Sequence, residues 1–331
     1  VSAFLGSRLS WQDDPPAVGG IIYGATSANV FAFTQSQIGA SHNDPPRYRW
    51  TIPGSIALAT VGPDGNLYSV TQTGTRVIQR TDLRAGPTPN TYPIANVAGL
   101  ASAGFGNLCF FGSAPGAGLD PWAALAVTAT GGVGLRYSAA CMQGMALTAH
   151  ATPEQFTGLA TANGACLDAA GKLWIAAGSA TNRYTGLAGA AGAATLEINL
   201  TGANWPTVQQ DIAVNAAGDL FVSRYTSGGN LKKLAAATIA GLSGTSNTAP
   251  TAVYTCADIN GWEYTRFDHA GNLWVASYNN AKYARIPAAQ LTGASGVITA
   301  DIVLSGGGAF GDGSATGPNG MLMFPGTGPV R

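Results

Sequence analysis

The sequence predicts an all-β fold, a closed ring of six short antiparallel sheets. Three observations lead there: one strand–turn–strand unit recurs along the chain, helical periodicity is missing, and the two ends carry complementary parts of a single unit. The repeat comes first, because self-similarity along a chain reveals an architecture before any single element is assigned.

Residues 56–70, 164–176, 211–222 and 264–276 each read as a short apolar strand, a turn ending in Gly plus a polar residue, and a second apolar strand. Gly takes the positive φ of such a turn without a Cβ clash. Residues 99–111 form a weaker copy that keeps Gly106-Asn107-Leu108 and lacks the Asp. A third strand running into a polar corner follows at 282–294 and, by similarity, at 146–158. At the amino end, residues 21–40 match the second and third strands of the unit at 273–292, with no first strand ahead of them. Residues 319–325 match the innermost strand at 260–267. The tail thus supplies the first strand of a sheet whose outer strands come from the head, the closure by which a ring of blades avoids an open seam.

Inner strands fall near positions 58, 99, 164, 211, 264 and 322, giving a six-bladed β-propeller as one domain over 19–331. The wide step from 99 to 164 places an insertion at about 113–140, or a degenerate seventh blade there. Gly, Pro, Thr and β-branched residues interrupt every window long enough to show a 3.6-residue period. Residues 1–18 precede the first matched strand as an arm, and Phe4, Leu5 and Trp11 are expected to contact a neighbouring subunit or the side of the ring.

Lys plus Arg number 16 against 16 Asp plus Glu, a net charge of zero. A phosphate backbone or anionic membrane surface needs a cationic face, so nucleic acid is not expected as a partner. Charged residues make up 10% of the chain where about 25% is usual, and 46 residues are Gly. Such a neutral surface points to an extracellular or virion setting, packed against assembly neighbours. No apolar stretch reaches the eighteen or so residues of a membrane span, and the start lacks the basic and apolar regions of a signal peptide. Cys109, Cys141, Cys166 and Cys256 include no Cys-x-x-Cys pair; three disulfide pairings or buried free thiols are open.

The motif apolar-Asp-x-x-Gly-Asn-Leu-Trp-Val-Ala, seen most fully at 267–276, resembles that of the NHL-type six-bladed propellers. That group looks similar to streptogramin (virginiamycin B) lyases and gluconolactonase-like calcium proteins. The resemblance implies the architecture; function sits in loops. Lyases of this kind carry histidines and glutamates around magnesium, whereas His42, His150 and His269 lie at unrelated repeat positions here. No metal or cofactor is expected; were one bound, the lactonase-like pattern of Glu, Asn and Asp on separate blades would offer Asn163, Asp211 and Glu263, with calcium or magnesium as the ion.

Asp64, Asp168 and Asp268 recur at one repeat position, where a short carboxylate accepts backbone N–H bonds and fixes the turn; one carboxylate per turn supplies too few oxygens for calcium. Trp174, Trp274, Tyr68 and Phe221 share another position and are expected to pack between blades. Asp211, Trp262, Glu263 and Arg266 sit on or just before inner strands, near the central channel. Alternation puts Trp262, Tyr264 and Arg266 on one side of their strand and Glu263 on the other. Segments 181–184, 224–229 and 278–280 are read as loops bringing Arg224, Tyr225, Tyr278 and Asn279 to the same end of the ring, suited to carbohydrate or protein recognition.

These readings favour a non-enzymatic propeller acting as a binding or structural module. The alternatives are a metal-dependent lyase or lactone hydrolase around Asp211 and Glu263, and a glycan-binding lectin using Tyr225 and Tyr278.

Overall fold

The computed structural model describes residues 22–305 except 26–28, 34–35, 47, 52–55, 62–66, 72–76, 83–89, 97–104, 112–122, 129–130, 139–140, 143–153, 206–208, 227, 269 and 278. The described residues form six sheets. The first holds β1 (Ile22–Ala25), β2 (Asn29–Phe33) and β3 (Tyr48–Thr51), and the second β4 (Ile56–Val61), β5 (Leu67–Thr71), β6 (Val77–Asp82) and β7 (Asn90–Asn96). The third is β8 (Phe105–Phe111), β9 (Ala123–Thr128), β10 (Gly134–Ser138) and β11 (Glu154–Thr157). The fourth is β12 (Gly164–Leu167), β13 (Leu173–Ala176), β14 (Thr181–Thr185) and β16 (Thr195–Leu200). β17 (Gln209–Val214), β18 (Leu220–Arg224), β19 (Leu231–Leu234) and β21 (Ala252–Thr255) make the fifth. β22 (Trp262–Phe267), β23 (Leu273–Ser277), β24 (Lys282–Ile286) and β26 (Ile302–Leu304) make the sixth. Each is an antiparallel meander in sequence order, the kind of sheet from which a β-propeller is built.

Side chains at one repeat position tie each sheet to the next. Tyr68 of β5 lies 5.7 Å from Phe110 of β8. Trp174 of β13 packs with Ile212, Leu220 and Val222 of the fifth sheet. Phe221 of β18 joins Trp262, Leu273 and Val275 of the sixth, and Trp274 of β23 joins Phe33 of the first. Leu125 and Phe156 of the third sheet pack on Leu173 and Ile175 of the fourth. β1 approaches β4, so the first sheet lies between the sixth and the second.

A second device links the outer edges. Short strands β15 (Gly192–Ala193), β20 (Gly244–Ser246) and β25 (Gly296–Val297) each leave one blade and pair in parallel with the outermost strand of the blade before. His42 repeats the pattern across the chain ends: its N–H donates to Val303 O at 3.1 Å and its carbonyl accepts from Ser305 N at 3.1 Å.

The hairpin turns are built as their sequence implied. Asp168 Oδ1 accepts from the N–H groups of Ala170 and Lys172, both at 3.0 Å, and its Oδ2 from Trp174 Nε1 at 3.2 Å. Asp268 repeats this with Asn272 N at 2.8 Å and Trp274 Nε1 at 3.2 Å. Gly171 and Gly271 take φ of 71° and 82°, where a Cβ is strained. Asp64 lies outside the described residues.

Three expectations are corrected. Residues 105–111 are one strand with a bulge between Phe105 and Asn107, so Gly106-Asn107 is no hairpin turn and the inner strand is displaced from position 99. Residues 123–128 and 134–138 are the second and third strands of that blade, in place of an insertion or a seventh blade. Residues 154–157 are an outermost strand, whereas the 282–294 segment aligned with 146–158 turns into a 3-10 helix at 288–291. By contrast, β1, β2 and the 3-10 turn at Gln37–Gly39 follow the plan of β23, β24 and 288–291. Residues 1–18, with Phe4, Leu5 and Trp11, and the tail 319–325 lie outside the described residues.

Candidate functional site

Inner strands β12, β17 and β22 start at one face of the ring, and second strands β13, β18 and β23 end there, because antiparallel pairing sets Gly164 opposite Ala176, Gln209 opposite Arg224 and Trp262 opposite Ser277. Asp211 of β17 is the hub of this face and is fully buried. Its Oδ2 accepts from Thr265 N and from Arg266 Nη1, both at 2.7 Å, joining β17 to β22. On the other side β12 comes so close that a Cβ on Gly164 would stand 2.4 Å from Asp211 Oδ1 and 2.6 Å from its Cα. Only glycine permits that approach. Burial pushes the Asp211 carboxyl upward, and the Arg266 guanidinium opposes it.

Glu263 is also buried, and its Oε2 has no hydrogen-bond partner. Burial first, then the charge of Asp211, pushes its pKa up to about 8. A carboxyl in this state holds its proton near neutrality and is able to donate it. Ser223 ties the two backbones together, its Oγ accepting from Asp211 N at 3.0 Å and lying 3.4 Å from Glu263 O.

The expected alternation along β22 fails because the register shifts between Trp262 and Tyr264. Trp262 enters the core shared with the fifth sheet, while Tyr264 packs on the opposite side with Trp274 and Tyr283. Asn163 Nδ2 donates to Gln209 O at 2.8 Å, tying it to the start of β17. Arg266 Nη1 engages Asp211 Oδ2, Asp211 Oδ1 has no hydrogen-bond partner, and among the described residues no group of three His, Cys, Asp or Glu side chains is placed to hold a metal ion. Segment 181–184 is β14 and not a loop; Arg183 lies over Trp174 and pairs with Glu197 at 3.0 Å.

Arg224 ends β18 at this face, followed by Tyr225, and Asn279 N donates to Asn260 O at 3.0 Å in the neighbouring blade's turn. Tyr278 lies outside the described residues. Gln209, Val222, Ser223, Arg224 and Lys232 line a small pocket. Gln209 and Lys232 were not singled out in the sequence; Gln209 stands two residues before Asp211 at the start of an inner strand, a signal of its location. The four cysteines are free, and burial raises the Cys109 thiol to about 12, which keeps it unreactive.

The class this architecture defines is the β-propeller. No family model matches the chain, and no curated protein matches it. Among solved structures it is similar to a protein of unknown function from Bacteroides caccae, at 10% identity and a TM-score of 0.51 over 86% of this chain and 98% of that one. Virginiamycin B lyase from Staphylococcus aureus aligns at 12% identity with a TM-score of 0.44, over 70% of this chain and 66% of the lyase. Sqt1 from Chaetomium thermophilum, bound to the N-terminus of ribosomal protein L10, aligns at 15% identity and 0.45 over 87% and 70%. At such identities the likeness concerns fold alone.

Proposed function

We propose that the chain is a six-bladed, NHL-like propeller, closed by its own tail, that works as a non-enzymatic binding or structural module of an extracellular or virion assembly. The observation that carries the reading is the role of Asp211. Its carboxylate is an internal strut between β17 and β22, held through Oδ2 by Arg266 and a backbone N–H, and among the described residues no group of three His, Cys, Asp or Glu is placed to hold a metal ion. What the same face offers outward is Arg224, Tyr225 and Asn279 at strand ends, groups that recognise sugars or protein surfaces by hydrogen bonding and stacking. The low charge supports an assembled or extracellular setting.

The test joins melting curves with a binding screen. Magnesium and calcium are expected to leave the melting temperature of the full chain unchanged, and a glycan array is expected to show binding that Asn279→Ala or Tyr225→Ala removes. Cation-dependent stabilisation abolished by Asp211→Asn or Glu263→Gln would overturn the reading.

One observation favours the enzymatic alternative, a lyase or lactone hydrolase: Glu263 is a buried, protonated carboxyl with an unpartnered oxygen, the state a general acid requires. Turnover of a lactone or a streptogramin by the wild type and not by Glu263→Gln would establish it.

A further inference from the structure

We propose that residues 260–263, the entry to β22, are a switch that holds Asn279 in place at neutral pH and lets it go in mild alkali. This rests on the binding-module reading above, in which Asn279 is one of the groups turned outward, and names the regulation of that site. Two backbone features make the entry movable. Gly261 takes a φ of 83°, where a residue with a Cβ is strained. Two residues on, the ladder to β23 passes over Glu263: Trp262 stands opposite Ser277 and Tyr264 opposite Ala276. A bulge of this kind is where a strand is re-aimed. The entry also carries the seat of Asn279. Asn279 N donates to Asn260 O at 3.0 Å and its Nδ2 to Asn260 Oδ1 at 3.5 Å. That amide rests on Gly261, where a Cβ would stand 2.8 Å from Nδ2. Asn260 N in turn donates to Ser277 Oγ at 2.8 Å. Asn279 is exposed, so a shift of 260–263 moves a surface group.

Glu263 sets the position of the entry. It is 6% exposed, its Oε2 has no partner, and Ser223 Oγ lies 3.4 Å from its carbonyl oxygen. The charged groups on the elements around it are Asp211 of β17, Arg266 of its own strand and Arg224 at the end of β18. Arg266 is bonded to Asp211, and the charge that acts on Glu263 is that of Asp211. A neutral Glu263 suits this burial. Once ionised, it sets a second negative charge beside Asp211 with Oε2 unpartnered, and a buried charge without a partner is far costlier than one in water. Burial, then Asp211, puts that change at about pH 8, and the seated form is lost as pH rises through it. Cys109 and Cys166, whose thiols also feel Asp211 and Arg266, stay neutral there because burial raises both. The hinge at Gly261 and the bulge let the carboxylate turn to water, and Asn260 moves with it.

Hydrogen exchange read by mass spectrometry on the full chain, between about pH 6.5 and pH 9 and corrected for the base-catalysed intrinsic rate, tests this. Peptides that include Asn260 and Asn279 are expected to lose protection at least tenfold across that range, while peptides of β13 and β14 keep theirs. Glu263→Gln is expected to hold the protection of all of them at every pH. Any glycan the wild type binds should be held at least fivefold more weakly at pH 9 than at pH 7, and equally at both by Glu263→Gln. A loss of protection shared by every sheet, the same pH response in Glu263→Gln, or wild-type exchange that ignores pH would overturn the switch. The expected exchange pattern with no glycan bound at any pH would sustain the switch and remove the binding module instead.

Discussion

Glu263 carries a pH dependence in its own side chain. Its pKa moves from 4.5 to about 8 on folding, so between those values the folded state binds more protons than the unfolded state and stability falls as pH rises. The shift corresponds to roughly 3–5 kcal/mol, fully lost above pH ~8. Glu263→Gln should flatten the urea midpoint between about pH 5 and pH 9 and exceed wild type at the upper end. An unchanged slope would show that another group titrates. Asp211 behaves differently, because it holds a charge in place. Asp211→Ala strands Arg266 at the centre of the ring and should cost about 3–5 kcal/mol, whereas Asp211→Ala combined with Arg266→Met should recover much of that loss. Gly164→Ala drives a methyl into Asp211 and should destabilise by roughly 1–3 kcal/mol or more in chemical denaturation. The sequence pointed to Asp211, Glu263 and Arg266 through their place on inner strands, yet gave no sign that Arg266 would pair with Asp211 while Glu263 stayed buried with an unpartnered oxygen. Pairing between blades is set by distances that a repeat spacing does not contain.

At the scale of the element, the hairpin was legible because its causes are local. Asp168, Gly171 and Trp174 stand within six residues of one another, and the carboxylate that caps the turn also receives the indole N–H of the next strand. Asp168→Ala or Asp268→Ala removes turn bonds and leaves a buried indole donor unpaired, costing about 2–3 kcal/mol, with Asp→Asn milder; thermal melts of the variants check this. Where a bulge intervenes, local reading fails. The shift between Trp262 and Tyr264 turns the later residues of β22 to the other face, and the bulge after Phe105 hides an inner strand inside a sequence that imitates a turn. The strand at 123–128 went unread for a related reason: all six residues are buried, so neither an alternating pattern nor a turn motif marks it.

For the whole molecule, the order of the sheets follows from the aromatic positions that repeat in the sequence, since each reaches across to the next sheet. Closure is the further step. If the tail completes the first blade, removing residues 306–331 should lower the melting temperature by several degrees or more and broaden the transition, as an exposed inner edge frays. Cysteines placed one in 21–25 and one in 321–324 should then form a disulfide in the folded chain. The parallel pairings of Gly192, Gly244, Gly296 and His42 onto preceding blades have an effect of their own. Each occupies backbone that would otherwise lie bare along a rim. Proteins commonly guard such rims with lysine, but here a stitch of main chain stands in for electrostatic repulsion. Hydrogen bonds of that sort are indifferent to screening, so pairing of copies along these edges should not increase as ionic strength rises from dilute to moderate salt.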